Sequence, residues 1–551
     1  MATKLSEFEE ALKKDQIGSH RRLSERLAIP RTTLQHWQRR KDAVDASPEV
    51  VAFFESPAGV QFLHRLVLAA HFSMAQVGPC GIRLVCQFLE LSHLSRFVGA
   101  SYGPHQKVAV AMEQAIVTFG QEEDKRLSAG MNSKQITVCQ DETFHPQPCL
   151  VAIEPVSNFI LLEQYAPNRT SDEWTSAMRQ AIADLPVQVI QSTSDEAKGI
   201  LRHVREDLGV HHSPDLLHVQ AEAVRATSVV LACQTRQAQN ALQQATQKVE
   251  QQQQEQQAYL QGSRPPGRPP HFDRRIQKAK AQEEEARDAL EKAQAHQQRA
   301  KQAIQSISQT HHPYDLEIGR PKSADEVSTC LEDCFSQIEE IAQEANLPAR
   351  CLEKIKKAQK VVVDMVATIA FFFLTVRAKV EALSLAPEVE KAVYEHLIPA
   401  VYLSMVSEKT QDPQQRHTLQ NRSQLLLAPL LVRDGPFEKM EKEDRDTIWQ
   451  VAHECAHVFQ RSSSCVEGRN GQLALRHHSL HRITNRKMKT LTTIHNYFIK
   501  RPDGTTPAER FFGTRPRNLF EWVLVQVKLP GRPAQERSHP KPKSYLLQAV
   551  A

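Results

Sequence analysis

The sequence predicts a mixed α+β fold that is mostly helical, and three observations support this. Apolar residues recur at helical spacing in several stretches on both sides of a compact set of β-rich runs. The β-rich runs lie between residues 136 and 219 and are bounded by Pro, Asn and Ser, which is typical of short strands. Residues 234–309 are rich in Gln, Ala, Glu and Lys, the composition of solvated helices. At 551 residues, with 40% hydrophobic and 24% charged residues, the chain has the size and composition of a soluble protein with several domains.

Residues 1–47 are predicted to form a DNA-binding helix-turn-helix unit. Ile29 and Pro30 end a short amphipathic helix, and a polar, basic helix begins at Arg31. Nine Lys or Arg residues outnumber two acids between residues 13 and 41, which favours contact with phosphates. The second helix would enter the major groove, and a solvated helical hairpin is the alternative. The expected DNA-contacting residues of this unit are Arg31, Thr32, Thr33, Gln35, His36, Arg39 and Arg40.

Two further segments are predicted to be helical. Residues 48–130 have apolar faces of helical period and form a packing or dimerisation module, and residues 221–450 form an all-helical insertion with a long Gln-rich helical hairpin. Gly267-Arg268-Pro269 lies in the break between the two arms, where a Pro-stiffened turn and a minor-groove contact are the two interpretations. The apolar run from Val361 to Val376 contains Asp364, and we expect a buried helix there rather than a membrane span.

Residues 131–220 are predicted to contain strand, strand, strand, helix, strand, helix, strand, with the last strand at 214–219. Asp141 ends the first strand and Asp195 ends the fourth. This order resembles the first part of a ribonuclease-H-like core, in which those two strand ends lie side by side. Because two close carboxylates repel each other unless a cation lies between them, the pair indicates a divalent metal.

The last part of this core is expected at residues 451–525, followed by a basic flexible tail at 526–551. On a helix, Glu467 would share a face with Asn470 and supply the third carboxylate. From residue 469 to residue 543 there are 16 Lys or Arg residues and 4 acids, so we expect a polyanionic partner. Arg469 and Arg476 are predicted to contact DNA phosphates.

A zinc motif competes with this assignment. His453, Glu454 and His457 form the pentapeptide pattern of zinc proteases, in which two His on one helix face bind the metal. The longer pattern fails, because Gln460 and Ser463 stand where a Gly and a third His are needed. We therefore predict that these histidines are structural.

Several local strings resemble the DDE transposases of bacterial insertion sequences, a resemblance that covers most of the chain. The strings are Gln140-Asp-Glu-Thr-Phe144, Ser194-Asp-Glu-Ala-Lys-Gly199, Asp215-Leu-Leu-His218, Val466-Glu-Gly-Arg-Asn-Gly471 and Arg501-Pro-Asp-Gly-Thr-Thr-Pro-Ala-Glu-Arg-Phe-Phe512. The resemblance implies that Asp141, Asp195 and Glu467 are the catalytic, metal-binding triad. The long separation between Asp195 and Glu467 is similar to that of DDE groups with a helical insertion before the final acid.

The resemblance further implies metal-dependent DNA strand cleavage and strand transfer at the ends of an insertion element. The implied cofactors are two Mg²⁺ or Mn²⁺ ions, and the implied partners are the terminal repeats, target DNA and further copies of the chain. A catalytically inactive DNA-binding protein derived from a transposase is the alternative. Ten scattered Cys and a polar N-terminal stretch favour a cytoplasmic protein with no membrane partner. The resemblance implies a bacterial, nucleoid-associated protein.

Overall fold

The computed structural model describes residues 24–25, 29–33, 35, 46–262, 267–433, 435–438, 440–480 and 482–530. Over these residues the protein is mostly helical and contains one five-stranded sheet, which confirms the predicted mixed α+β class. Of the predicted helix-turn-helix, residues 31–33 and 35 are helical. His36, Arg39 and Arg40 lie outside the described residues, so the unit stays a prediction.

Residues 48–128 form the expected helical module, whose third and fourth helices are separated by a short turn. Ser56 caps the second helix, because its Oγ accepts a hydrogen bond from the Gly59 N–H at 3.0 Å. The fourth helix buries Met112, Ile116 and Phe119 against the sheet. The helices are α1 (Pro48–Glu55), α2 (Pro57–Ala70, continued by a π-helical turn at His71–Val77), α3 (Ile82–Leu91) and α4 (Tyr102–Ser128).

The sheet has the strand order β3-β2-β1-β4-β5. The first three strands form an antiparallel meander, and β4 and β5 run parallel to β1. A helix enters before β4 and another before β5, as parallel strands require a crossover. The elements are β1 (Lys134–Phe144), β2 (Pro148–Glu154), β3 (Phe159–Tyr165), α5 (Ser171–Ile182), β4 (Val187–Ser194), α6 (Lys198–Arg202, continued by a π-helical turn at His203–Asp207) and β5 (His211–Pro214).

The predicted order of strands and helices is present, but the position of the last strand was wrong. β5 ends at Pro214, whereas the prediction placed it at 214–219. Asp215 instead caps a helix of 46 residues, with its Oδ1 accepting from the Leu217 N–H at 2.8 Å. The apolar residues after Asp215 therefore belong to a helix.

Both faces of the sheet are covered. Successive side chains of a strand point to opposite faces, so Val138 packs on one side with α4 and α5 while Cys139 packs on the other. On that second side, Val466 and Leu473 of a later helix contact the sheet. The sheet is thus a central layer between helices, and its strand ends remain open at one edge.

A helical insertion separates β5 from the helix that covers the second face. Its two longest helices, α7 (Leu216–Gln261) and α8 (Phe272–Thr310), pack along each other as the predicted hairpin. Shorter helices form an apolar core of their own around Phe335, Met365 and Phe372. They are α9 (Ala324–Glu344), α10 (Ala349–Gln359), α11 (Val362–Glu381), α12 (Pro387–Ala392, continued by a π-helical turn at Val393–Leu397), α13 (Ile398–Lys409), α14 (Pro413–Leu431) and α15 (Lys442–Val458).

The described chain ends with four helices that return to the sheet. Asn496 of the second one fixes β3, because its amide exchanges hydrogen bonds with the backbone of Ile160 at 3.0 Å. The third buries Phe511 against Phe159, with the rings stacked 4.4 Å apart. These helices are α16 (Ser464–Leu480), α17 (Asn485–Tyr497), α18 (Pro507–Phe512) and α19 (Leu519–Gln526).

Two described stretches, Leu216–Gln261 and Ala349–Glu381, are long and apolar enough to cross a membrane by length and composition alone. The core helix of a soluble protein passes the same test. In α11, the predicted buried helix, Met365, Ile369 and Phe372 are buried inside the helical core. This packing favours the interpretation of a core helix.

Buried histidines are expected to make the protein lose stability in mild acid. Burial, followed by the charge of Arg461, lowers the pKa of His311 to about 3, and burial followed by His105 lowers the pKa of His71 to about 4. In the unfolded chain these groups take up protons near pH 6.5. The free energy of unfolding should therefore be constant above about pH 6.5 and fall as the pH drops toward 4.

Urea denaturation between pH 8 and pH 4.5 measures this dependence. His311→Gln is expected to make the dependence less steep by one group's contribution, since the substituted side chain binds no proton in the unfolded state. A free energy of unfolding that rises on acidification below pH 6.5 would contradict the assignment.

Candidate active site

Asp141 and Asp195 lie at neighbouring positions on two adjacent parallel strands. The last paired residues of β1 and β4 are Gln140 and Ser194, and each aspartate is the next residue in its strand direction. β1 continues to Phe144 alongside β2, whereas the chain leaves the sheet at Asp195. Both aspartates are half-buried at this edge, so they can meet a substrate from solution.

Helix α16 brings two more polar side chains to the same place. The Nδ2 group of Asn470 donates a hydrogen bond to Oδ2 of Asp141 at 2.8 Å. Glu467 lies one turn earlier on the same helix face and is exposed. Val466 and Leu473, four residues before and three residues after Asn470, lie beside it on the helix, bury into the sheet and hold the helix against it. The apolar pattern of α16 therefore turns Glu467 and Asn470 toward the strand ends.

The loop before α16 is fixed to the sheet by hydrogen bonds. The carbonyl oxygen of Gln460 accepts from the Gln191 Nε2 at 3.2 Å and from the Ser213 hydroxyl at 2.7 Å. The Leu216 N–H donates to the Arg461 carbonyl at 2.9 Å, and the Ser463 hydroxyl donates to the Asp215 carboxylate. The start of α16 is thus tied to β4, β5 and the beginning of α7.

The residue Arg461 also joins this loop to the helical hairpin. Its buried guanidinium donates through Nη1 to the carbonyl oxygens of Ser308 and His311, at 2.7 and 2.8 Å. The end of α8 and the loop before α16 are therefore held together at one point.

The charges of Asp195 and Glu467 both act on Asp141. The pKa of Asp141 is raised to about 6, with burial as the largest cause and the charges of Asp195 and Glu467 adding to it. The N–H of Glu142 and the amide of Asn470 act in the opposite direction, since each donates a hydrogen bond to the ionised carboxylate. The protein therefore concentrates negative charge at the strand ends and compensates it only in part.

The pKa of Glu467 is also raised. Burial is the largest cause, the charge of Asp215 adds to it, and His218 lowers it. His218 is half-buried in the first turn of α7. The third carboxylate thus lies between an acid and a histidine that both come from the region just after β5.

The donor set of this cluster suits a hard divalent cation, because carboxylate and amide oxygens are the ligands that Mg²⁺ and Mn²⁺ take. Asn470 supplies an independent sign of fit, since its Oδ1 is buried and has no hydrogen-bond partner among the described residues. Within the ranges that the structure describes, no three His, Cys, Asp or Glu side chains are already grouped closely enough to hold a metal. In this arrangement the carboxylates do not form a closed ligand shell.

The other acids around the site have structural partners. Glu142 accepts from Trp174 Nε1 at 3.0 Å and from Arg169 at 3.2 Å. Asp215 caps α7 and binds Ser463. Through these contacts, Glu142 and Asp215 have structural roles beside the site.

The prediction that Arg469 is available to DNA phosphates is wrong. Its guanidinium makes a two-pronged ion pair with Glu163 at 2.6 and 2.7 Å, and the two side chains are only 8% and 0% exposed. The Thr492 hydroxyl donates to the same carboxylate at 2.6 Å. Arg469 therefore fastens α16 and α17 to β3.

The same correction applies to Arg476. Its guanidinium donates to the backbone carbonyl oxygens of Gln76, Val77 and Gly78, just after α2. These bonds satisfy carbonyls at the end of a π-helical turn, and they use the donors that a phosphate would need. The arginine holds the N-terminal helical module to α16.

The zinc-like motif lies on α15, away from a third ligand. Glu454 pairs with Lys379 at 3.1 Å, and burial is the main cause that lowers the pKa of His457 to about 4. Neither His453 nor His457 belongs to a group of three potential ligands in the described part of the chain. This arrangement favours the structural role predicted for both histidines.

Comparison with known proteins gives one family match. Residues 393–539 match the model of a family of unknown function, DUF6399. The match includes Glu467 and Asn470 but none of the five strands, and it covers less than half of the chain. No curated protein matches the chain. The matched family carries no activity with it, so function is argued from the site.

Proposed function

We propose that the protein is a DDE-type transposase that cleaves and transfers DNA strands at the ends of an insertion element. The observation that carries the proposal is that Asp141 and Asp195 follow paired strand positions, and that the helix bearing Glu467 is held to Asp141 through Asn470. Two of these acids follow paired positions on parallel strands, and the third comes from a helix more than 270 residues later in the chain. Ordinary packing does not require three negative charges at one sheet edge.

The architecture supports the same assignment. A meander β1-β2-β3 with β4 and β5 parallel to β1 is the strand order of a ribonuclease-H-like core. The helical insertion lies between β5 and the helix that bears Glu467. This is the arrangement expected of DDE transposases that carry a helical insertion before the final acid.

Asp141, Asp195 and Glu467 would hold the divalent cations. When bound, the cations lower the pKa of the attacking water or 3′-hydroxyl and stabilise charge on the leaving oxygen. The protein contributes fixed negative charge, a half-buried position that limits access of water, and an Asp141 carboxylate oriented by Glu142 and Asn470. Water first hydrolyses the phosphodiester at the element end, and the freed 3′-hydroxyl then attacks target DNA without a covalent enzyme intermediate.

The phosphates would be bound by basic side chains other than Arg469 and Arg476. Several Lys and Arg residues of α17 and of the segments between and after the C-terminal helices are exposed and belong to none of the ion pairs in the described ranges. They are Arg482, Lys489, Lys500, Arg515 and Lys528. Charge at this density attracts a polyanion without reading its sequence. Sequence reading is assigned to the N-terminal helix-turn-helix and stays a prediction.

Cleavage of an element-end duplex tests the proposal. We expect the full-length protein to nick a duplex that carries the sequence flanking its own coding region when Mg²⁺ or Mn²⁺ is present. Ca²⁺ should support binding but not cleavage, because its longer bonds and looser geometry suit in-line displacement poorly. A scrambled duplex of the same length is the control. Specific binding without a nick in any divalent metal would identify a DNA-binding protein that has lost its chemistry.

A further inference from the structure

We infer that Asn470 is a fourth residue of the carboxylate site, with its amide N–H group orienting Asp141 and its amide oxygen binding the divalent cation. The inference rests on the proposed function and extends it to a residue that is not an acid. The inference requires that the amide N–H group and the amide oxygen of Asn470 both take part in the site.

The donor end of the side chain is already in place. Nδ2 of Asn470 lies 2.8 Å from Oδ2 of Asp141, and the other carboxylate oxygen accepts from the Glu142 N–H at 2.7 Å. With one hydrogen bond on each oxygen, the plane of the Asp141 carboxylate is fixed. Each oxygen keeps a further lone pair for a cation, because an ionised carboxylate accepts at about four positions.

The acceptor end of the side chain has no partner. Oδ1 of Asn470 is buried and accepts no hydrogen bond from the described residues. An unpaired buried acceptor costs about 1–3 kcal/mol, so such atoms in folded proteins usually meet an ion or a water. The amide that carries this oxygen contacts Asp141 through its other end. A cation is the partner that the negative charge around it would attract.

The position of Asn470 on α16 supports the same role. Asn470 follows Glu467 by three residues, so the two side chains share a helix face. The helix is held by Val466 and Leu473 in the sheet and by the Arg469–Glu163 ion pair. The amide is thus presented by a rigid element, which a metal ligand needs if its geometry is to be reproducible.

A neutral ligand is chemically reasonable at this place. Mg²⁺ and Ca²⁺ sites accept the amide oxygen of Asn beside carboxylates. A fourth carboxylate would add repulsion against the phosphate that must approach, whereas an amide adds an oxygen without charge. The competing explanation is that Asn470 only latches α16 to β1, as Asn496 latches α17 to β3.

Direct measurement of metal binding separates the two explanations. Mn²⁺ binding to the full-length protein is titrated by electron paramagnetic resonance without DNA, for the wild type, Asn470→Ala and Asn470→Asp. We expect Asn470→Ala to weaken Mn²⁺ binding about 10- to 100-fold, the range for lost supports of metal ligands. Asn470→Asp, which keeps an oxygen but loses the donor, should bind Mn²⁺ more tightly than Asn470→Ala.

The control is Gln472→Ala, an exposed residue of the same helix that contacts Arg469 and not the carboxylates. It should leave Mn²⁺ affinity unchanged. If Asn470→Ala binds Mn²⁺ with the affinity of the wild type and only its melting temperature is lowered, Asn470 merely connects α16 to β1. That result would overturn the inference. Asn470→Asp binding as weakly as Asn470→Ala would remove the ligand role. A wild type without saturable Mn²⁺ binding would instead count against the proposed function.

Discussion

Replacing Asp141 by Asn is expected to abolish strand cleavage while leaving the affinity for DNA close to that of the wild type. The amide keeps the shape of the carboxylate but removes the charge that attracts divalent cations. The charges of Asp195 and Glu467 both act on Asp141, so the loss of its charge changes the electrostatics of all three acids. The cleavage rate should fall about a thousandfold or more, which corresponds to about 4 kcal/mol of activation free energy.

The measurement is single-turnover cleavage of an element-end duplex, with affinity followed by fluorescence anisotropy. Glu467→Gln should match Asp141→Asn. Glu454→Gln is the matched control, because this acid pairs with Lys379 on the helical insertion and is expected to keep full activity. If Asp141→Asn cleaves at the wild-type rate, the carboxylate cluster is not the active site. If only Glu467→Gln retains activity, the third acid lies elsewhere.

Glu163→Ala should be strongly destabilising although it lies outside the site. It leaves the buried guanidinium of Arg469 without its counter-charge, and breaking one side of a buried ion pair costs about 3–5 kcal/mol. The Thr492 hydroxyl also loses its acceptor. Urea denaturation at pH 7 would report the change as a lower midpoint with a similar slope.

The control for this prediction is the exposed pair formed by Arg65 and Glu521, which has similar two-pronged geometry at 2.8 Å. Glu521→Ala should lower the stability far less than Glu163→Ala, because water screens an exposed pair. The double variant Glu163→Leu with Arg469→Met should recover most of the lost stability, since no charge is left buried. An equal, small effect of Glu163→Ala and Glu521→Ala would refute the structural role of Arg469.

The sequence predicts the strand order and the meeting of Asp141 with Asp195 because both depend on local signals. β-rich runs and turn residues define each strand, and parallel pairing brings the ends of β1 and β4 to one edge. The face shared by Glu467 and Asn470 follows from helical spacing alone. That Asn470 contacts Asp141 could not be predicted, because the contact joins residues 329 positions apart.

Other predictions were wrong where one local sequence pattern is compatible with two different structures. The apolar residues after Asp215 fit a strand, but the aspartate caps α7 and commits them to a helix. Arg469 looks like a phosphate ligand in a basic stretch, since its partner Glu163 is remote in sequence.

The hydrogen bond from the Leu216 N–H group to the Arg461 carbonyl joins the first and last residues of the helical insertion. The chain leaves the sheet and returns to it at adjacent points, although 244 residues lie between them. A short linker in place of those residues would span the gap, so the catalytic half can be redesigned as a minimal protein without moving Glu467. Because Arg461 binds the end of α8, a displacement of the hairpin would act on Arg461. Glu467 lies six residues after Arg461 in the chain. A displacement of the hairpin would therefore reach the loop before α16 through Arg461 and through the Ser463–Asp215 hydrogen bond.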